Sequence, residues 1–517
     1  MMCSKPKKYA LHVYRLLFMK MNAKKYGMPG MRYVFSLVAF LGCFVNLSLR
    51  VNINVAIVAM VNNSAVYSTH ENVTSHECSE HPEFFSNSSF LKIQPREGEF
   101  AWTPQIQGHV LGAFYYGYSV MQVPAGRLSE IYSAKWVFGL GTIASALLSL
   151  LTPVVARFDV IALIAIRALQ GVAQGVVFPS IHSMLGRWLP DTEKSFLSSA
   201  IYCGINLGSV AGMATAGVLC KSDFLGGWPS SFYVTGLAAC LWFILWSALV
   251  TDTPHTHPCI TSKESEYIAS NQKISQNVKL PPFPWSKVLT SIPFWALTIN
   301  QIGMDWSFYT LLNDLPTFFA TILHFDIEKN GYLSSMPYFL ETGFVLVLGF
   351  VCDLVVRKGY ATLNFTRKFC AGLAGFVPAL LFVGVGLAGC NVTLCVAFLM
   401  LAVIFGSFCS CGYMLTHLDM SPEYAGTLMG LTNGISSVTG FITPIVVGAL
   451  TENKQTLAQW YIVFGITVII LVISTTIFIL FATTEKQDWA LREDDMPILQ
   501  ESIRLSHQDN YESLKHK

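Results

Sequence analysis

The sequence predicts an all-α membrane protein in which twelve transmembrane helices form two six-helix halves. Of its 517 residues, 53% are hydrophobic and only 12% are charged, about half the charged fraction of a typical soluble protein. Apolar runs of about 20 residues, long enough to cross a bilayer as a helix, recur along the chain. The long polar segment 251–290 divides these runs six and six.

The chain opens with a basic segment, 1–32, which has eight lysines and arginines and no acidic residue. The positive-inside rule places such a segment in the cytosol. It runs directly into a full-length apolar span, 33–61, which is unlike the short apolar region of a cleaved signal peptide.

The polar stretch 62–101 after the first span is poor in Lys and Arg, which indicates the extracytoplasmic side of the membrane. Its sequons at Asn62, Asn72 and Asn87 predict a glycosylated outer loop. A further sequon at Asn391 falls between the ninth and tenth spans, on the same side, and is also expected to carry a glycan.

The remaining apolar runs complete an N-terminal half over 33–250 and a C-terminal half over 291–482. Segment 251–290 is then a cytosolic linker, and the charged tail 483–517 is expected to be disordered in the cytosol. The spans after the first are placed near 104–125, 135–156, 159–185, 195–219, 228–250, 291–322, 332–356, 369–389, 393–416, 425–450 and 458–482.

A weak internal repeat supports this division. Gly126 is followed four residues later by Glu130, and Gly349 by Asp353, at equivalent places after the second and eighth spans. Basic residues follow in both copies. The glycines allow close helix approach, and each acid can cap the next helix or pair across the cytosolic gap.

The first span carries an arginine, Arg50, near its middle. A permanent cation at that depth is costly and indicates function. Asn46 and Asn54 lie four residues to either side, so the three polar side chains are expected on one helix face, lining a wet cavity.

The fourth span repeats the pattern with Arg167, Gln170 and Gln174 on one face. The planar guanidinium of arginine bonds two oxygens at once, so two such arginines favour a carboxylate or phosphate as the bound group. The alternative is that each arginine pairs structurally with an acid of the other half or with backbone carbonyls.

The C-terminal half supplies two buried acids, Asp305 in the seventh span and Glu341 in the eighth. Either could carry a proton or bind sodium, or could form a salt bridge with Arg50 or Arg167 that breaks when substrate enters. Tyr118 and Tyr309 could hydrogen-bond an anion. The predicted substrate-binding set is therefore Arg50, Arg167, Asn54, Tyr118, Tyr309 and Gln174, with Asp305 and Glu341 as ion-coupling candidates; Asn206 and Asn433 are weaker candidates.

Enzyme motifs are missing from the sequence. It has no P-loop, and no cysteine or histidine pattern typical of a metal site, so we predict a transporter with no metal and no cofactor other than co-transported Na⁺ or H⁺. We expect a monomer whose partners are a small anion and the lipid bilayer, with no nucleic acid. Cys78, Cys220 and Cys390 are expected on the oxidising side, and their spacing leaves the disulfide pairing open.

The loops at Gly126 and Gly349 resemble the signature loop of the major facilitator superfamily. Several runs are similar to one branch of it, the anion:cation symporters, which include sialin, the vesicular glutamate transporters and the type I sodium–phosphate transporters. These runs are LRVNINVAIVAMVN from Leu49, FYYGYSVMQVPAG from Phe114, IRALQGVAQG from Ile166, HLDMSP from His417 and EKQDWA from Glu485.

The resemblance implies two six-helix halves around a cavity lined mainly by the first, fourth, seventh and tenth helices, and transport of phosphate or organic anions with sodium or protons. It places the family's substrate arginines at Arg50 and Arg167 and its tyrosines at Tyr118 and Tyr309. The chain departs from the branch in its fourth span, where Gln170 and Gln174 replace glutamates that carry protons in sialin and the glutamate transporters.

It also departs at Leu111 and Met304, where the vesicular glutamate transporters have a histidine and an arginine, so vesicular glutamate transport is not expected. Amides cannot titrate, so coupling must use another acid or sodium. We therefore predict alternating-access symport of small anions, sodium-coupled inorganic phosphate first.

A proton-coupled or facilitative organic-anion carrier is the alternative, for a sialic acid-like anion, an acidic sugar or urate. A passive anion channel and a non-transporting sensor are alternatives of other classes. The expected location is the plasma membrane. Because 494–499 resembles an acidic dileucine sorting signal, a lysosomal or endosomal membrane is the alternative.

Overall fold

A computed structural model of the chain describes residues 30–61, 98–271, 282–314, 318–319, 322–323, 327–451 and 456–490. These residues form helices and short connections, and a single β-bridge joins Val61 to Phe100. The basic N-terminus, most of the predicted outer loop and most of the C-terminal tail lie outside the described residues.

The N-terminal half consists of six helical spans and contains two irregularities. The fourth span is interrupted at Gly175, and a π-helical turn over Ser129–Ser133 joins the second and third spans end to end. The six spans are Met31–Met60, Pro104–Leu128, Ala134–Phe158, Val160–Gln174 with Val177–Trp188, Lys194–Lys221 and Pro229–Leu249.

The C-terminal half also has six helical spans, with breaks in the tenth and eleventh. The tenth contains a 3-10 turn over Ser407–Ser410, and the eleventh is interrupted between Ser436 and Thr439. The six spans are Ile292–Tyr309 with the π-turn Thr310–Asp314, Ile327–Arg357, Leu363–Ala388, Val392–Gly406 with Tyr413–Met420, Ala425–Ser436 with Thr439–Thr451, and Leu457–Phe481.

Ten continuous helical stretches in the described part of the chain are long and apolar enough to cross a membrane. One of them, Ile106–Phe158, holds both the second and the third span, and the seventh span is not among the ten. The all-α membrane fold predicted from the sequence is confirmed.

Glycines at every fourth position let two pairs of spans approach backbone to backbone. Gly208, in the fifth span, packs so closely on the first span that a Cβ would lie 2.3 Å from the Phe44 carbonyl oxygen. Gly430, in the eleventh span, packs on the second span, where a Cβ would lie 2.3 Å from the Gln122 carbonyl oxygen. Small residues at this spacing are the usual basis of close helix packing in membranes. The second contact joins the two halves.

The beginning of the linker folds back onto the N-terminal half. The Glu264 carboxylate, in the short helix Ser262–Ser270, accepts hydrogen bonds from the backbone N–H groups of Met31 (2.8 Å) and Arg32 (3.1 Å). It therefore caps the start of the first span, where the helix dipole favours an anion. Arg32 also pairs with Glu193 at 2.9 Å, which ties the start of the fifth span to the same cluster.

Candidate functional site

A cavity of about 120 Å³ lies between the two halves. Side chains from the first, second, fourth, fifth, seventh and eleventh spans line it: Leu47, Arg50, Val51, Asn54, Leu111, Phe114, Tyr115, Tyr118, Arg167, Phe178, Ile205, Ser209, Asp305, Phe308, Tyr309, Leu312 and Asn433. The first, fourth and seventh spans thus contribute as the family resemblance implied. The tenth span contributes no lining residue, and the second, fifth and eleventh take its place.

Arg50 is held in a cage of aromatic rings. Its guanidinium carbon lies 4.7 Å from the ring centre of Phe114, 4.8 Å from that of Tyr115 and 4.9 Å from that of Tyr118. Cations are attracted to the faces of such rings, most strongly where water is excluded. Its Nη2 also donates to the Tyr309 hydroxyl across the interface between the halves, at 3.5 Å. The cage therefore fixes a positive charge at the cavity wall without neutralising it.

Arg167 lies deeper and is only 2% exposed. Its Nη1 donates to Gln170 Oε1 at 2.8 Å, and the Gln170 amide donates in turn to Thr152 at 3.3 Å. The Arg167 Nε is buried with no hydrogen-bond partner among the described residues. The Phe114 ring lies 5.3 Å from the Arg167 guanidinium carbon, so both arginines contact the same ring.

Neither arginine forms an ion pair within the described part of the chain. The predicted alternative, a salt bridge from Arg50 or Arg167 to Asp305 or Glu341, is not present in this conformation. Arg367, which is as buried as Arg167, does form such an ion pair, since its Nε lies 2.8 Å from the Asp419 carboxylate. A buried cation without a counter-ion is costly, so the two guanidiniums are chemically suited to bind a negatively charged group.

The two candidate coupling acids occupy different places. Asp305 lines the cavity, and Ser436 donates to its carboxylate at 2.5 Å. Glu341 does not line the cavity and lies beside Asn206, at the contact of the fifth and eighth spans. Of these two acids, only Asp305 therefore lies at the cavity together with Arg50 and Arg167.

Gln174 is separated from the other predicted binding residues. Its amide is buried, donates to Ser145 at 2.9 Å and does not line the cavity. Asn46 likewise turns into the N-terminal half and donates to Thr142 at 2.9 Å. Because residues four apart advance about 40° around a helix, Asn46 and Asn54 diverge by about 80°. Asn54 stays in the cavity, while Asn46 leaves it.

Sequence reasoning missed two residues that shape the site. Phe114 lies between both arginines, and Ser436 holds Asp305. Phe114 could have been found because it precedes Tyr115 and Tyr118 in a run of aromatic residues. Ser436 carries no signal in the sequence, since a serine in an apolar helix usually bonds its own backbone.

The two signature-loop acids interlock the halves on the predicted cytosolic side. Glu130 accepts hydrogen bonds from the backbone N–H (2.6 Å) and hydroxyl (2.5 Å) of Thr427, at the start of the eleventh span. Asp353 accepts from the backbone N–H groups of Ser195 (3.1 Å) and Phe196 (2.7 Å), at the start of the fifth span. Of the two predicted roles, each acid thus bonds across the gap, at the N-terminus of a helix in the opposite half.

The loop glycines explain how these acids reach across. A Cβ on Gly126 would lie 2.5 Å from the Gly426 carbonyl oxygen, and one on Gly349 would lie 2.9 Å from that of Ser195. Both distances are too short for a side chain, so glycine permits the approach. These contacts join the two halves on the predicted cytosolic side.

We expect Glu130→Gln to loosen these contacts locally, because hydrogen bonds to charged acceptors contribute about 1.5–3 kcal/mol each. Hydrogen–deuterium exchange should rise in the peptide that contains Thr427, and Asp353→Asn should raise it around Ser195 instead. Exchange that stays at the wild-type rate in both peptides would show that the two acids do not hold the halves together on this side.

The predicted outer-side features fall partly within the described residues. Asn391 is exposed and caps the helix that follows it, accepting from the Leu394 backbone N–H at 3.2 Å. The sequons at Asn62, Asn72 and Asn87 lie outside the described residues. Cys390 takes part in a disulfide and Cys220 is a free thiol; Cys78 lies outside the described residues.

The chain is similar to known proteins in sequence and in fold. Residues 39–444 match the Major Facilitator Superfamily. The chain is 39% identical to sialin of Ovis aries over 89% of its own length and 91% of that protein. It is 33% identical to a putative inorganic phosphate cotransporter of Drosophila melanogaster, over 92% and 89% of the two chains.

Vesicular glutamate transporter 1 of Xenopus tropicalis is also 33% identical, over 91% of this chain and 77% of that protein. Among solved structures, the proton:xylose symporter XylE bound to 6-bromo-6-deoxy-D-glucose superposes with a TM-score of 0.64 at 11% identity, over 88% of this chain and 97% of that one. At that identity the likeness concerns the fold alone.

Proposed function

The chain belongs to the major facilitator superfamily, in the group of sialin, the vesicular glutamate transporters and the inorganic phosphate cotransporters, and on this premise we propose that it carries inorganic phosphate together with sodium. It is a multi-pass membrane transporter and not an enzyme. The observation that carries the proposal is the pair of cavity arginines, Arg50 and Arg167, without a carboxylate partner.

The charge and size of the cavity support a small anion. Two guanidiniums that contact one ring can bond several oxygens of one anion, and phosphate offers four. A cavity of about 120 Å³ favours an inorganic or short organic anion over a bulky sugar acid. The anion would bridge Arg50 and Arg167 near the midplane of the membrane, and the two halves would then rock around it.

The coupling ion follows from the acids that are present. Gln170 and Gln174 cannot bind a proton, and both amides are engaged within the N-terminal half. Asp305 is the acid at the cavity, and its oxygens suit a hard cation such as sodium. Neutralising Asp305 would favour the anion nearby, which is the physical basis of symport.

A proton-coupled or facilitative organic-anion carrier is the second candidate. The higher identity to sialin, 39% against 33% for the phosphate cotransporter, favours it. In that case a proton on Asp305 would replace sodium. For either substrate we propose a monomer in the plasma membrane; the sorting-like run 494–499 lies outside the described residues and keeps an endosomal or lysosomal membrane as the alternative.

Uptake into proteoliposomes distinguishes these candidates. Radiolabelled phosphate, sialic acid, glutamate and urate would be offered with a sodium gradient or a pH gradient imposed separately. We expect phosphate to accumulate against its gradient when sodium is high outside. Sialic acid accumulation driven by pH would favour the second candidate, flux without accumulation a channel, and binding without flux a sensor.

A further inference from the structure

Asn433 hydrogen-bonds to both halves of the protein beside the cavity. It lies in the eleventh span and is 8% exposed. Its Oδ1 accepts from Gln301 Nε2 at 3.0 Å, within the C-terminal half. Its Nδ2 donates to the Tyr118 hydroxyl of the N-terminal half at 3.3 Å. If both amides flip, Asn433 donates to Gln301 and accepts from Tyr118, so the connection persists either way.

On the C-terminal side the connection leads to Asp305. Gln301 precedes Asp305 by one helical turn, and Ser436 follows Asn433 by three residues, so each pair shares a helix face. The Ser436 hydroxyl lies 2.5 Å from the Asp305 carboxylate and 3.3 Å from the backbone carbonyl oxygen of Asn433, and its single hydrogen is available to one of these acceptors at a time. Asp305 is therefore connected through the Ser436 hydroxyl to the backbone of Asn433. It also lies one helical turn from Gln301, which bonds the Asn433 side chain.

On the N-terminal side the connection leads to Arg50. Tyr118 accepts the Asn433 hydrogen bond with its hydroxyl, and its ring forms one wall of the aromatic cage, 4.9 Å from the Arg50 guanidinium carbon. A shift of Tyr118 would change how Arg50 is presented to an anion. The helix of the eleventh span is interrupted between Ser436 and Thr439, directly after this connection.

We propose that Asn433 is a positioning residue that transmits the cation occupancy of Asp305 to the anion site at Arg50. This inference rests on the proposed function. When sodium or a proton neutralises Asp305, Ser436 loses a charged acceptor, and Asn433 and Tyr118 readjust around Arg50. Cation and anion then favour each other's binding, and the coupling is reciprocal.

A direct attraction through space between the bound cation and the anion is the competing explanation, because the cation offsets the negative charge of Asp305 that would repel the anion. The titratable groups that act on Asp305 or are acted on by it are Arg50, Tyr118, Tyr309, Cys409 and Tyr413. Replacing Asn433 by leucine, which is similar in size and apolar, leaves all of these groups in place. It therefore separates the hydrogen-bonded connection from the attraction through space.

The test measures the KM for radiolabelled phosphate in proteoliposomes at limiting and saturating sodium, and in parallel at two external pH values. In the wild type the driving cation should lower KM at least about five-fold, the lower range of allosteric couplings. In Asn433→Leu the ratio of the KM at limiting cation to the KM at saturating cation should fall to about one, whatever the KM at limiting cation is.

Tyr118→Phe breaks the same connection from its other end and keeps the ring beside Arg50. It should lose the same cation dependence, and the double variant should be no worse than either single one. Ser119→Ala is the matched control, since it removes the neighbouring contact between the halves, 2.7 Å from Ser437, without touching this connection. Its cation dependence should equal that of the wild type. If Asn433→Leu does not fold, Tyr118→Phe carries the test.

The possible failures are distinguishable. A wild-type KM that depends on neither sodium nor pH contradicts the proposed coupling, and the inference falls with it. A wild-type dependence that survives intact in Asn433→Leu or Tyr118→Phe overturns the inference alone and leaves the attraction through space. A merely structural role for Asn433 would change KM equally at both cation levels.

Discussion

Replacing Arg50 by alanine is expected to abolish anion uptake in proteoliposomes. The guanidinium is the cation at the cavity wall, fixed by three aromatic rings and by Tyr309 of the other half. Each charge-assisted hydrogen bond contributes about 1.5–3 kcal/mol. Loss of a bidentate pair should therefore weaken anion binding about 100-fold or more.

Two variants make this result interpretable. Arg50→Lys keeps the charge but not the planar fork, so it should retain weak uptake with a raised KM. Arg157→Ala removes an exposed arginine that pairs with Glu99 at 3.0 Å and does not line the cavity, so it should transport normally. Uptake at the wild-type rate in correctly folded Arg50→Ala would refute the assignment of the site.

Asp305→Asn is expected to uncouple transport from its driving cation. Asparagine keeps the shape of the side chain and a hydrogen bond to Ser436, but it removes the charge that binds sodium or a proton. Exchange of labelled for unlabelled anion should continue, whereas the accumulation ratio should fall to about one because no gradient is harnessed. Counterflow and net uptake in the same proteoliposomes measure the two quantities.

Glu341→Gln is the matched control for this prediction. Both acids lie in the C-terminal half and both were candidates from the sequence, but only Asp305 lines the cavity. The Glu341 variant should therefore keep uphill accumulation. If Asp305→Asn still concentrates the anion while Glu341→Gln does not, the coupling acid is Glu341.

The architecture could be predicted from the sequence because bilayer thickness imposes one length on every span. Predicted bounds such as 425–450 for the eleventh span differ by a residue or two from the observed Ala425–Thr451 stretch. The breaks inside spans could not be predicted this way. The interruption after Ser436 lies in a continuous apolar run, and hydropathy does not distinguish a broken helix from an intact one.

The site was predictable where an arginine lay in hydrocarbon and less so where an amide did. Arg50 and Arg167 stand out because a buried cation has few structural uses. Gln174 and Asn46 share helix faces with them by spacing, yet their amide nitrogens donate to Ser145 and Thr142 inside the N-terminal half. Such partners come from spans distant in sequence, so pattern alone could not separate structural amides from cavity ones.

An experimental structure with the transported anion bound tests the central claim most directly. The anion should lie in the cavity with its oxygens within hydrogen-bond distance of both Arg50 and Arg167. An anion bound elsewhere, with each guanidinium neutralised by a carboxylate of its own, would contradict the account.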